Sequence, residues 1–210
     1  IYTRISGYGQ TGPYSSDPGF ASVCEGFGGF RYINGVPGEI PVRPNLSLGD
    51  TLAGIHAALG VCLAYIRCLR HGDGKGQVVD VSIFESVFNM LEAVVPEYSG
   101  AGEVREPSGS TIKGIVPSNT YRCKDGKLVI IGANTKGMFE RLMRVIGRDD
   151  FADDKRLAIN SERVVHEKVI DEAIAKWVAT LPLKEVTAIL KGQAVACLLY
   201  TSDAADDTLW

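Results

Sequence analysis

The sequence is short of the features that usually betray a function at once. Its five cysteines form no Cys-x-x-Cys pair, and with only three histidines present they show no metal-ligand spacing. This reads as reduced, mostly buried thiols in a cytoplasmic compartment, with no bound metal expected. Charge of either sign is nearly balanced: 22 lysines and arginines against 25 aspartates and glutamates give a net −3, which argues against nucleic acid as a main partner. Any phosphate-bearing ligand must then be held by local groups. No apolar run is expected to reach membrane-spanning length, and no signal peptide is evident. What remains is ordinary globular composition, 45% hydrophobic and 22% charged over 210 residues, with room for a sizeable core and two domains.

Both ends read as cut. The chain opens on Ile1-Tyr2-Thr3-Arg4-Ile5-Ser6, a strand-like run with no initiator Met. The run from Cys197 to Asp207 resembles a translated sequencing adapter of the kind found in metagenomic assemblies, so residues 197–210 are set aside as a non-native tail.

The stretch from Leu46 to Gly76 organises the rest. Leu52, Ile55, Leu59, Cys62, Leu63, Ile66 and Leu69 recur at intervals of three and four, which is helical periodicity. A second face carries Ala53, Gly54, Ala57, Ala58, Gly60 and Ala64, small enough to let another backbone come close. Asp50 falls at the expected N-cap, Arg67, Arg70 and His71 fall in the last turn, and Gly72 and Gly74 end the helix. A single carboxylate is therefore expected at the mouth of a largely buried helix. Locally it has two readings: a plain cap, or a nucleophile whose charge suits the positive end of the helix dipole.

Before this helix, Gly7-Tyr8-Gly9-Gln10-Thr11-Gly12-Pro13-Tyr14 forms a glycine-rich loop after a first strand. It matches a bare Gly-x-Gly-x-x-Gly pattern, but Pro13 and the lack of an apolar helix behind it argue against dinucleotide binding. Asp17-Pro18-Gly19 is a turn, Phe20 to Phe27 a short amphipathic segment, and Arg43 a surface residue or a carboxylate partner. After the helix, Gln77 to Ile83 is a β-branched strand, which points to an α/β layer, and Phe84 to Tyr98 returns to helical period. Ser99 to Ser110 has linker composition. Beyond it, Ser118–Arg122 and Lys127–Gly132 flank Lys124-Asp125-Gly126 as a β-hairpin. Amphipathic helices follow over residues 135–146, 164–179 and 183–191. Asp149, Asp150, Asp153 and Asp154 are solvated charge rather than metal ligands, and His166 is expected to be exposed. The expected division is residues 1–99, a linker at 100–117, and a small α+β domain at 118–196.

Four ordered motifs now meet a family. Ser6 to Tyr14, Pro18-Gly19-Phe20, Gly49-Asp50-x-x-x-Gly54, and Gly74-Lys75-Gly76-Gln77-Val78-Val79-Asp80-Val81-Ser82 together resemble the class III CoA-transferases. The likeness runs on through Gly114-Ile115-Val116-Pro117 and the Lys124-Asp125-Gly126 hairpin. The resemblance implies part of a Rossmann-like large domain holding CoA, a small α+β domain, and full-length chains that interlock as homodimers. It implies that Asp50 is the catalytic nucleophile, that Pro18, Gly19 and Phe20 line part of the CoA site, and that a loop containing Gly109 and Gly114 covers the intermediate. An acyl-CoA and a small carboxylic acid would be the substrates, with CoA a substrate and no cofactor. Oxalate is disfavoured, because the loop has two separated glycines rather than a run. The α-methylacyl-CoA racemases share the fold but pair their Asp with a His in a Gly-His-Asp motif; here Gly19-Phe20-Ala21 stands there. His56, six residues beyond Asp50, is off its side of the helix. Ala21 also replaces an acidic residue common in transferases. An inert fragment is the reading from a different class.

Overall fold

A computed structural model describes residues 1–200 and divides the chain into two units, one over Ile1–Gly109 and the other from Ser110 onward. The division falls inside the stretch read from composition as a linker.

The first unit contains β1 (Tyr2–Ser6), α1 (Ala21–Phe27), α2 (Phe30–Ile33), α3 (Leu48–His71), β2 (Val78–Ser82), α4 (Ile83–Phe88) and α5 (Val94–Ala101). β1 and β2 pair in parallel, from Tyr2 opposite Val78 to Ser6 opposite Ser82. Parallel neighbours need a crossover, and α3 lies within it, which makes this a βαβ layer. Ser82 ends β2 and caps α4, accepting the Glu85 N–H at 3.4 Å, while its hydroxyl donates to Gly7 O at 3.1 Å. The helical stretch expected from Phe84 to Tyr98 is two helices; the chain breaks between them, and Glu92 there takes a φ of 53°.

The organising helix is present, but two expectations about it are corrected. Its N-cap is Ser47, which places Asp50 at the third position of the first turn rather than at the cap. Nor is it largely buried. Gly49, Ala53, Ala57 and Ala64 are its buried residues, whereas Ile55, Leu59, Leu63, Ile66 and Leu69 are exposed. The small face was the one chosen for packing because it lets the helix lie close to the sheet. At Gly60 an added Cβ would come within 2.6 Å of Val79 Cγ1. The same helix, Leu48–His71, is also long and apolar enough to cross a membrane by length and composition alone, contrary to the expectation that no run reaches that length. Asp50 in its first turn and the packing of Ala53 and Ala57 in one cluster with Cys24, Val81 and Ile83 make it a layer helix here.

The glycine-rich loop is held by its backbone. Asp80 Oδ2 accepts the Gln10 N–H at 2.9 Å, and Gln10 Nε2 donates to Ser6 Oγ at 3.1 Å. Gly7 and Gly19 cross at contact: a Cβ on Gly7 would lie 2.7 Å from Gly19 Cα, and one on Gly19 would lie 2.8 Å from Gly7 Cα. Both obstacles are main chain, which has no rotamer to yield. Gly7→Ala is therefore expected to cost about 1–3 kcal/mol, read as a lower urea midpoint with an unchanged m-value.

The second unit contains β3 (Ser118–Arg122), β4 (Leu128–Gly132), α6 (Lys136–Val145), α7 (Asp149–Ala152), a 3-10 turn (Lys155–Ala158), α8 (Asn160–Val165), α9 (Glu167–Val178), α10 (Leu183–Gly192) and β5 (Ala196–Tyr200). β3 and β4 form the expected hairpin, antiparallel from Ser118 opposite Gly132 to Arg122 opposite Leu128. β5 is a correction. Cys197 to Tyr200, set aside as tail, pair antiparallel with β4, with Leu199 opposite Val129 and Cys197 opposite Ile131. Their alternating burial is that of a half-covered strand; the remainder of the adapter-like run lies outside the described residues. Ile170, Ile174 and Val178 recur every four residues on α9 and bury completely against Val129, Ile131, Phe139, Leu142 and Leu190. The aspartates read as solvated charge are partners of arginines: exposed Asp149 and Asp153 with Arg144, exposed Asp150 with Arg148, and half-buried Asp154 with Arg156.

Candidate active site

Asp50 is exposed in the first turn of α3, where the unpaired N–H groups of the helix give a positive end. Ahead of it, Arg43, Pro44, Asn45, Leu46 and Ser47 line a surface pocket of about 300 Å³. The residue before it, Gly49, is packed tightly. A Cβ there would meet Ile83 Cγ2 at 3.0 Å and Ala21 Cα at 3.3 Å. Ala21 begins α1 and follows Phe20, so the contact brings Phe20 and Asp50 to one place, each one residue away from it.

Pro18 and Phe20 are exposed, Phe20 at 79%, and Gly19 is half-buried between them. Gly19 also rests against Cys24, whose Sγ would be 3.2 Å from an added Cβ. The Cys24 thiol is buried and donates to Gly7 O at 3.5 Å. Burial above all, and then the nearby Asp50 charge, hold this thiol above the usual cysteine range, so it stays protonated at neutral pH. Tyr8 is raised as well, first by desolvation and then by Cys24. Its ring joins Tyr14, Phe27 and Phe84 in an aromatic cluster with centroids 5.1–5.9 Å apart, edge-on around Phe27 and tilted between Tyr8 and both Tyr14 and Phe84. The structure thus gathers Gly19, Phe20, Asp50 and the start of the glycine-rich loop.

Gly109 and Gly114 are not gathered in this way, since they fall in different units. The Gly109 N–H donates to Gly35 O at 2.8 Å within the first unit. Gly114 O accepts from Asn160 Nδ2 at 2.6 Å within the second. Both have positive φ, 67° and 86°, which suits glycine.

His56 is fully engaged away from Asp50. Its Nδ1 bonds Leu52 O at 2.8 Å and its Nε2 meets Asn89 Nδ2 at 3.1 Å, which fits a neutral ring donating from Nδ1 and accepting at Nε2. Among the described residues, no three His, Cys, Asp or Glu side chains group as a metal site.

One functional-looking residue, Glu25, escaped the sequence reading. Glu25 is completely buried on α1, accepting the Gly49 N–H at 3.2 Å. Arg43 lies 3.7 Å from Glu25 Oε2, so its nearest carboxylate is the protein's own. A usable signal was present: Glu25 is the only charged residue between Asp17 and Arg31, in a segment otherwise small or apolar.

The α/β arrangement of this chain is shared with solved structures. A CaiB/BaiF family protein from Brucella suis superposes with a TM-score of 0.77 at 26% identity, over all of this chain and 55% of that one. A hypothetical protein from Mycobacterium tuberculosis shares the fold with a TM-score of 0.80 at 23% identity, over all of this chain and 55% of that one. The sequence model of CoA-transferase family III matches residues 1–208, and the chain belongs to that family. Succinyl-CoA–D-citramalate CoA-transferase of Chloroflexus aurantiacus is 38% identical over 203 residues, 96% of this chain and 50% of the relative. The alpha subunit of succinyl-CoA–L-malate CoA-transferase from the same organism is 39% identical over 189 residues, 89% of this chain and 43% of the relative. The chain spans about half the length of the curated relatives it matches.

Proposed function

We propose that this chain is the catalytic-aspartate part of a CoA-transferase that moves CoA from an acyl-CoA to a carboxylic acid through an aspartyl-CoA thioester. The observation that carries the reading is the placement of Asp50 at the head of α3, beside Phe20 and the Gly7–Gly19 crossing, in a chain matched by the family along nearly its whole length.

The chemistry needs one carboxylate used twice. Asp50 attacks the thioester carbonyl of the donor, the C–S bond breaks, and an acyl–aspartyl anhydride and CoA thiolate result. The thiolate attacks the aspartyl carbonyl, releasing the donor acid and leaving CoA as a thioester on Asp50. The acceptor carboxylate attacks that thioester to give a second anhydride, and the thiolate then takes the acceptor acyl group and frees Asp50. Each intermediate is an activated acyl group, so the cycle is ordinary nucleophilic catalysis with no external energy source. At the start of α3 the Gly49 and Thr51 N–H groups are taken by Glu25 and Ser47, so the Leu48 and Asp50 amides are the ones proposed to meet the developing oxyanions.

Exposed Phe20, with Pro18 and Gly19, is the part of the CoA surface contributed here, and the Gly109–Gly114 stretch is the loop over the intermediate. The relatives' names pair succinyl-CoA with D-citramalate, L-malate and glutarate, which supports succinyl-CoA and a small dicarboxylate as the substrates. Coenzyme A acts as substrate, with no resident cofactor, in a cytoplasmic enzyme whose full-length chains pair as an interlocked homodimer. The racemase reading finds no second base, because Phe20 stands where its His would be and His56 is tied to Leu52 and Asn89.

Hydroxylamine added to the full-length gene product during turnover of succinyl-CoA tests the reading. Mass spectrometry is expected to place a hydroxamate on Asp50. Adduct on another carboxylate, or none while CoA exchange proceeds, would remove Asp50 from the mechanism.

A further inference from the structure

A carboxylate as deeply buried as Glu25 is costly unless its oxygens are partnered. Oε1 accepts the N–H of Gly49, the second residue of α3, at 3.2 Å. Oε2 lies 3.7 Å from Arg31 Nη2 and 3.7 Å from Arg43 Nε, at ion-pair distance without a hydrogen bond. Ser47 supplies no side-chain cap to α3. Glu25 therefore does from a neighbouring helix what a cap residue does locally, satisfying one of the amides a helix start leaves open.

The site of that bond matters. Position 49 is already confined by Ile83 and Ala21, and the Glu25 bond holds it from a further direction. The next residue is Asp50. The same carboxylate also draws in Arg43, where the segment feeding α3 begins. One buried group thus restrains both the first turn of α3 and the chain entering it.

We infer that Glu25 is a positioning residue for Asp50, its bond to the Gly49 amide setting the direction in which the Asp50 carboxylate points. The inference rests on Asp50 being the nucleophile. Glu25 touches no substrate in this scheme and acts only through the backbone of α3. Reaction geometry is sensitive to such a restraint, since a displacement of about 1 Å at the reacting atom costs on the order of 100-fold in rate.

The test is single-turnover acylation of the full-length gene product by succinyl-CoA, quenched into hydroxylamine, for wild type, Glu25→Ala and Glu25→Gln. The first-order rate constant reports the geometry of the folded fraction, whereas misfolding lowers only the amplitude. Glu25→Ala is expected to slow acylation of Asp50 by roughly 10- to 100-fold with little change in KM for succinyl-CoA. Glu25→Gln keeps an acceptor for Gly49 N–H and is expected to recover most of the rate. An alanine variant that acylates at the wild-type rate, or one that loses amplitude alone, would overturn the inference, as would a glutamine variant as slow as alanine. If the alanine variant does not fold, Glu25→Asp decides: its shorter reach predicts slow acylation, and wild-type speed overturns the proposal. Wild-type enzyme that traps no adduct on Asp50 would instead overturn the nucleophile reading, and the inference with it; an adduct in wild type with unaltered variants overturns the inference alone.

Discussion

Asp50→Ala in the full-length gene product is expected to lower CoA transfer by more than about 10³-fold, the scale seen when a covalent nucleophile is removed. Folding should survive, because the side chain is exposed and its main structural role is a favourable charge in the first helical turn, worth at most about 1 kcal/mol. Isotopic exchange between labelled CoA and succinyl-CoA measures the first half of the cycle, and circular dichroism with urea unfolding measures the second expectation. Asp50→Asn should behave alike, since an amide oxygen cannot form the anhydride. Exchange retained at even a tenth of the wild-type rate would count decisively against the assignment.

The largest effect on stability is expected far from Asp50 in sequence. Arg163 on α8 is 1% exposed, and its guanidinium donates to Val116 O and Leu157 O, each at 2.8 Å, and to Asn134 O. It also lies 5.0 Å from the centre of the Phe139 ring. Two loop carbonyls and one from the 3-10 turn in the second unit thus share one planar fork. Burial draws the Arg163 pKa below the usual arginine value, yet the charge is spread over accepting carbonyls. Arg163→Met fills similar volume but strands those carbonyls without donors. The expected loss is about 3–5 kcal/mol, the scale of breaking a buried polar network by removing one member. Urea unfolding followed by Trp177 fluorescence would register it; a loss under about 1 kcal/mol would mean that water replaces the guanidinium.

The α/β character was legible because the strands carry their own signals. Val78 to Val81 is β-branched apart from Asp80, and the hairpin around Asp125-Gly126 has the turn chemistry that its register needs. The helical character of α3 was legible from period and its end from Gly72, whose φ of 58° stops it. The small face, legible as the one that admits another backbone, is the one that packs against Val79; that the larger apolar face stays exposed was not legible, because periodicity marks a face as apolar without showing what covers it. Asp50 could be singled out by its motif, but its helix is steadied by Glu25, and the partner of a buried charge lies in three dimensions rather than along the chain. Arg163 was hidden for the same reason, amid the amphipathic period of α8 and α9. β5 was missed because resemblance to an adapter outweighed Cys197-Leu198-Leu199-Tyr200, an apolar run that alternates into the core.

Gly7 and Gly19 stand twelve positions apart, yet where their backbones touch they are one locus. A methyl group on either must open the gap between the two backbones, so that part of the cost is met once, while one on Gly19 also presses on Tyr8 and Cys24. Costs at the two positions should therefore combine sub-additively, the shared gap giving the sign of a coupling that contacting pairs show in either direction. For inheritance this means that the loop under the aromatic cluster and the turn leading to Phe20 cannot drift independently: a lineage that loses one glycine has already forfeited part of what the other protects.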